Sequence, residues 1–176
     1  AVAGTAYGGA SEVLDTRSLC LIRETLGRHS GLADFAFAMQ GLGSGAISID
    51  GTDAQKQRYL TRVAQGEAIA AFALAEPDAG SDVAAMACEA SVEGDTVVLN
   101  GEKTFISGAG STDVLVVMAR TGGARSKGIS AFVVDADSAG IEYGKNEHKM
   151  GWKAQPTRTI SFNKVKVPVA NRLGEE

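Results

Sequence analysis

This chain of 176 residues contains three prolines, two cysteines, two histidines and one tryptophan, and each scarcity narrows its chemistry. Cys20 and Cys88 show no CxxC spacing, so neither a disulfide-stapled secreted scaffold nor a thiolate metal site is expected, and both read as small buried hydrophobes. That places the chain in a reducing compartment, cytoplasmic, or the mitochondrial matrix in a eukaryote. His29 and His148 have no partner at ligand spacing, so no metal is assigned. No apolar run approaches the roughly 18 residues of a membrane span. The net charge is −4, and the Lys and Arg residues form no stripe that could neutralise a row of phosphates, which excludes nucleic acid as a partner. The start, Ala1-Val-Ala-Gly-Thr5, lacks the basic and apolar regions of a signal peptide. It also lacks an initiator methionine, and the expectation is a processed, truncated or partial chain. Lys103 has no glycine run before it, which rules out a P-loop. Gly41-Leu-Gly-Ser-Gly-Ala46 imitates a dinucleotide fingerprint, but no helix follows it and no acidic residue stands about 20 positions on.

What remains is an ordinary globular composition, 44% hydrophobic and 22% charged. The length suits one large domain or two small ones burying about two thirds of the unfolded surface. Periodicity divides the chain near residue 70. Ser11 is placed to cap a helix running through about Arg28, with Leu14, Leu21, Ile22 and Leu26 on one side. Residues 31–49, rich in Ala, Gly and Ser, suit a tightly packed buried helix. Thr52-Asp-Ala-Gln55 reads as a capping box for a helix that carries Tyr59, Leu60 and Val63 and stops at Gly66. Strands follow at 70–75, 96–99, 104–106, 114–119, 129–134 and 159–167. Asn100-Gly101 reads as a hairpin turn, and Gly122-Gly123 and 137–140 as further turns.

Two segments carry the chemistry. Phe72-Ala-Leu-Ala-Glu-Pro-Asp-Ala-Gly-Ser-Asp82 is an apolar strand running into a loop with a hydroxyl and carboxylates, and Asn100-Gly-Glu-Lys-Thr-Phe-Ile-Ser107 ends on an aromatic, an aliphatic and a hydroxyl. Alone, the first is a strand ending in a Pro/Gly turn. Together they suit a flat, polar-edged ligand that needs an apolar wall and a few placed donors. Trp152 and Tyr143 read as packing residues; Glu142, Glu147 and Lys149 read as a solvated face.

These two segments, with Tyr7-Gly-Gly9, Gln57-Arg-Tyr-Leu60 and Lys166-Val-Pro168, resemble the acyl-CoA dehydrogenase family in the family's order and over nearly the whole chain. Arg120-Thr-Gly-Gly123, Lys127-Gly-Ile-Ser130, Gly151-Trp-Lys-Ala-Gln-Pro-Thr-Arg158 and Pro168-Val-Ala-Asn-Arg172 resemble its isobutyryl-CoA branch, which acts in valine catabolism. The resemblance implies an α+β fold: a partial N-terminal helical domain over residues 1–69, then the family's middle antiparallel β-barrel-like domain over 70–176. It also implies that the family's C-terminal helical bundle is absent, and with it the carboxylate base, so no catalytic residue is assigned. FAD is the implied cofactor. Phe72, Leu74 and Ala75 would border the isoalloxazine, and Gly80 and Ser81 the pyrophosphate, with Ser81 also touching the CoA portion of the substrate. Phe105 and Ile106 would lie against the flavin, and the Ser107 hydroxyl would face N5. The implied partners are an acyl-CoA substrate, electron-transferring flavoprotein as acceptor, and further copies forming a tetramer in the full-length protein.

Three positions depart from the family pattern. Ala75 stands where threonine is usual, Phe105 where tryptophan is usual, and Asp78 where glycine is common, which puts a negative charge near the pyrophosphate unless it turns to solvent. Two rival readings accompany the dehydrogenase: a non-catalytic binding or assembly module with the same fold, and an acyl-CoA oxidase or flavin monooxygenase relative.

Overall fold

The computed structural model describes residues 2–123 and 125–174. Ala1, at the start of the expected helical domain, and Glu175 and Glu176, at the end of the expected β domain, lie outside the described residues.

Three helices come first: α1 (Thr16–His29), α2 (Gly31–Asp50) and α3 (Asp53–Gln65). Asp15, not Ser11, caps α1. Its carboxylate accepts from the Arg17 amide at 3.2 Å and the Ser18 hydroxyl at 2.7 Å, a charge placed at the positive end of the helix dipole, while Ser11 donates to the Val13 carbonyl. Leu14, Leu21 and Ile22 stay exposed and Leu26 is only half-buried, so the apolar side expected for α1 is mostly uncovered among the described residues. A two-bond pair from Arg23 to Asp34, at 2.8 and 2.9 Å, fastens α1 to α2. The capping box of α3 forms as the sequence predicts, with the Thr52 hydroxyl accepting from the Gln55 amide and the Gln55 side chain from the Thr52 amide.

The strands are β1 (Ala70–Ala73), β2 (Glu89–Glu93), β3 (Thr96–Ser107), β4 (Val114–Arg120), β5 (Ile129–Asp135), β6 (Ile141–Tyr143), β7 (Thr157–Pro168) and β8 (Arg172–Leu173). They form one mixed sheet in the order β6-β7-β3-β2-β4-β5-β8, with β1 beside β4. The ladders of β1 and β2 on β4 are parallel and the others antiparallel. The fold is therefore the expected α+β arrangement with a more mixed sheet than the sequence reading gave. The Asn100-Gly101 turn is not formed: β3 runs straight through it, and the hairpin lies at Gly94-Asp95, between β2 and β3. The glycine at 101 answers a different demand. It sits at φ 144°, and a Cβ there would fall 2.7 Å from Cys88 Cα.

β4 is buried on both sides, which accounts for its unbroken apolar run. Leu115, Val117 and Ala119 enter one core with Leu99, Phe132, Ile160 and Phe162, while Val114 and Val116 enter a second with Ile47, Tyr59, Leu60 and Val133. That second core joins helices to sheet. Where α2 crosses β1, Gly43 allows the close approach: a Cβ there would meet the Ala70 carbonyl carbon at 2.6 Å. One turn away, the Gln40 amide accepts from the Ala70 N–H at 2.9 Å and donates to its carbonyl at 3.5 Å. α2 thereby sets the height of β1. Cys20 is exposed and Cys88 buried, both as free thiols, so only Cys88 matches the expectation of a buried hydrophobe. No helix among the described residues is long and apolar enough to cross a membrane.

Candidate functional site

β1 leads directly into the loop that carries half of the expected site. Pro77 and Asp78 turn the chain back, so that Glu76 and Ala79 exchange main-chain bonds of 3.0 and 3.2 Å. Gly80, Ser81 and Asp82 are then exposed before a short 3-10 turn at Val83–Ala85. Asp78 is itself exposed, as Gly80 and Ser81 are. Neither close contact nor a left-handed backbone requires the glycine at 80: a Cβ there would meet nothing within 4 Å. Its openness is space left on the solvent side. Behind the loop, Arg120 of β4 donates to the carbonyls of Ala84 (2.7 Å), Met86 (2.9 Å) and Gly123 (2.8 Å), bracing its far end.

The other half arises from two compensating defects in the β3–β7 ladder. Between Leu99 and Gly101 the extra residue is on β7, near Lys164 at φ 53°. Between Lys103 and Ile106 the extra residue is on β3, and Phe105 takes φ 54°. A left-handed aromatic residue is strained by about 1–3 kcal/mol. The second bulge shifts the inward alternation of β3 from Val97, Leu99 and Lys103 to Ile106. Phe105 is turned out, 67% exposed, while Ile106 is 3% exposed in the sheet core. Ile106 can thus offer a ligand on this side its main chain only.

Phe72, Phe105 and Ser107 line one cavity of about 150 Å³ with Ala70 and Ala71 of β1 and Met39 and Leu42 of α2. The sequence reading missed Met39 and Leu42; the small-residue pattern of α2 that allows its close approach to β1 was the available signal. Leu74, Ala75, Gly80 and Ser81 are not among the lining residues. Leu74 and Ala75 are tied to β3 instead: the Leu74 carbonyl accepts from Lys103 Nζ at 3.0 Å, and the Ala75 carbonyl from the Thr104 N–H at 2.8 Å. Full ligand sites commonly enclose about 300–1,000 Å³. This concavity is one apolar wall with a hydroxyl, not a complete pocket.

Beneath that wall lies a group the sequence reading passed over. Lys103 is fully buried, and its ammonium meets a Glu76 carboxylate that is 7% exposed at 2.7 Å. Burial pushes the Glu76 carboxyl up, but the Ala87 N–H (2.6 Å), the Lys103 ammonium and the Cys88 N–H (3.0 Å) together hold it below its ordinary value. A carboxylate so occupied is unavailable as a base. The neighbouring Cys88 thiol is pushed up to about 11, chiefly by burial, and is inert as a nucleophile. Among the described residues no group of three or more His, Cys, Asp or Glu side chains could hold a metal ion. Lys149, expected on a solvated face, instead donates to Thr157 Oγ1 at 2.9 Å and pins the loop before β7. Trp152 rests on Phe35 with ring centres 4.6 Å apart.

The chain matches two family patterns: "Acyl-CoA dehydrogenase, N-terminal domain" over residues 2–67 and "Acyl-CoA dehydrogenase, middle domain" over residues 71–165. It is 43% identical over 134 residues to the mitochondrial isobutyryl-CoA dehydrogenase of Dictyostelium discoideum, covering 76% of this chain and 32% of that protein. It is also 43% identical over 172 residues to a 3-(aryl)acrylate reductase of Clostridium sporogenes, covering 96% of this chain and 45% of that one. Among solved structures, an acyl-CoA dehydrogenase complexed with FAD from Bacillus anthracis superposes with a TM-score of 0.88 at 37% identity, covering 99% of this chain and 30% of that one. The chain spans less than half the length of these relatives.

Proposed function

Because this chain belongs to the acyl-CoA dehydrogenase family, we propose that it forms the flavin-facing part of an FAD-dependent enzyme that removes hydrogen from the α and β carbons of a short or branched acyl-CoA thioester. The supporting observation is the shared cavity of Phe72, Phe105 and Ser107, which joins an apolar wall, an outward aromatic and a hydroxyl from two strands. The residues fit the cofactor. The carbonyls of Leu74 and Ala75 are bonded to β3, which fixes the main chain of this segment beside the strand that carries Phe105 and Ser107. Gly80 leaves open space beside Ser81 in an exposed loop, where a pyrophosphate can approach.

Bound against this wall, FAD would supply the hydride acceptor. Ser107 would hold a hydroxyl donor toward N5, a contact that strengthens as charge develops there. Phe105 and Phe72 would exclude water from one side of the ring, and Ser81 would meet the CoA portion. The thioester α-proton needs a positioned carboxylate, and Glu76, bonded to Lys103, Ala87 and Cys88, does not provide it. No base is assigned to this chain. In the whole enzyme, electrons would pass to an electron-transferring flavoprotein, and the assembly would be a homotetramer.

Titration of the purified chain with FAD, followed by quenching of flavin fluorescence, tests the reading. Saturable binding is expected, with no dye reduction on adding isobutyryl-CoA, because losing a positioned base alone forfeits about 10²- to 10⁴-fold. Absence of any flavin binding favours the non-catalytic module. Turnover near the ~10 s⁻¹ typical of enzymes would show that a base is present in this chain.

A further inference from the structure

We propose that the buried Lys103–Glu76 pair is a positioning device, which locks the 72–88 segment onto β3 immediately before the bulge and so sets the spacing between that segment and Phe105 and Ser107. The proposal rests on the flavin reading given above.

The geometry gives the pair a role that packing alone cannot fill. An ammonium has three donors, and Lys103 directs them to three points: the Glu76 carboxylate at 2.7 Å, the Leu74 carbonyl at 3.0 Å and the Met86 sulfur at 3.9 Å. Glu76 gathers the return contacts, accepting from the Ala87 N–H on one oxygen and from the Cys88 N–H and Lys103 on the other. The start of the loop, its exit and the middle of β3 therefore converge on one charge pair. The adjacent Thr104 N–H adds a bond to the Ala75 carbonyl at 2.8 Å. The next residue, Phe105, is the one held at φ 54°. Nothing intervenes between the clamp and the strained residue that leaves the sheet.

Stability is a weak reason to keep such a pair, since apolar side chains of similar volume often replace a buried ion pair without loss. Two apolar side chains would fill this space, but they would not fasten the Leu74 carbonyl, just after β1, and two amides from the loop exit to a single point. Neither Lys103 nor Glu76 lines the cavity, so both act through the residues that do.

Three variants test this: Lys103→Met, Glu76→Gln and the double Glu76→Gln/Lys103→Met. The double variant removes both charges; its single amide oxygen can accept from one of the Ala87 and Cys88 N–H groups, and its NH2 faces the other. Amide exchange of the flavin-free chain is followed by mass spectrometry, together with melting temperature and FAD affinity. Lys103→Met is expected to lose protection in residues 74–88 and 104–107 while β4 and β5 keep theirs, and to bind FAD at least tenfold more weakly. The double variant should recover part of the melting temperature lost by Lys103→Met, because no charge is left uncompensated, without recovering loop protection or flavin affinity. If Lys103→Met does not fold, the double variant decides alone. Unchanged exchange in those segments, or recovery of flavin affinity together with melting temperature, overturns the proposal in favour of a structural brace. A wild-type chain that binds no FAD overturns the flavin reading instead, and exchange, measured without flavin, still decides whether the pair holds the loop.

Discussion

Two glycines on α2, only two residues apart, should respond to alanine in opposite directions. At Gly43 a Cβ would lie 2.6 Å from the Ala70 carbonyl carbon, 2.7 Å from its oxygen and 2.8 Å from the Ala71 nitrogen, all main-chain atoms of β1. Carbon–carbon contacts settle near 3.5–4.0 Å, so α2 must retreat by about 1 Å. That overpacking costs roughly 1–3 kcal/mol. It also lengthens the two Gln40 bonds to Ala70, worth about 0.5–1.5 kcal/mol each. Better helix propensity returns at most ~1 kcal/mol. The net destabilisation is about 2 kcal/mol, a fall in Tm of roughly 4–8 °C for a chain of this size. A Cβ at Gly45 would meet no atom within 4 Å beyond its own stretch of helix, so Gly45→Ala should collect the propensity gain alone and raise Tm by up to ~4 °C. Thermal unfolding of the two variants beside wild type reads both signs. Shifts in the same direction would refute the claim that α2 rests on β1 at Gly43. The consequence reaches the candidate site, since α2 carries Met39 and Leu42 into the cavity with Phe72 and Phe105.

Ser107→Ala, made in a full-length relative so that chemistry can be observed, should slow flavin reduction more than it weakens substrate binding, because a donor to N5 is worth most as charge develops. Stopped-flow reduction checks this, and an unchanged rate with a changed binding constant contradicts the role. The Glu76 carboxyl is held below its ordinary value when folded, so its contribution to stability is present above the unfolded value near 4.3 and is lost as pH falls through the folded one. Urea midpoints should therefore separate wild type from Glu76→Gln at pH 6 and converge toward pH 3; a constant gap would show that the carboxylate is not the group responsible.

The parts of the fold set by local chemistry were legible in the sequence. The capping box at Thr52 and Gln55, the bounds of α2 and the apolar run of β4 each follow from short-range pattern, and each is present. Asn100-Gly101 misled because dipeptide chemistry describes what a backbone can do, not what its neighbours require. The same glycine that would suit a turn here lets β3 lie on Cys88. β2 escaped notice because Glu89, Ser91 and Glu93 alternate with few large apolar residues, leaving little signal for a strand of five. In the candidate site, the sequence named Phe72, Phe105 and Ser107 but assigned Ile106 to the same side. Strict alternation would have buried Phe105 and exposed Ile106 along with Thr104. Only the extra residue in the β3–β7 ladder reverses them, and a bulge is a property of two strands together.

That reversal joins the observations at the site. A regular β3 would send an aromatic at position 105 into the core beside Phe162 and Ile160 and turn an aliphatic residue to the surface. The bulge exchanges them, so the core keeps Ile106 and the surface gains an exposed ring, at the expense of a left-handed phenylalanine. Strain of about 1–3 kcal/mol persists only where the surroundings over-determine it. They do so here on both sides of the bulge. Lys103 is anchored before it by Glu76 and the Leu74 carbonyl, and Ile106 and Ser107 re-enter the ladder after it opposite Arg158 and Thr157. A buried charge pair and a strained aromatic are each poor choices for stability taken singly. Side by side on β3 they hold one ring and one hydroxyl at a fixed place on an otherwise apolar wall, which is the requirement a flat cofactor imposes on the strand beneath it.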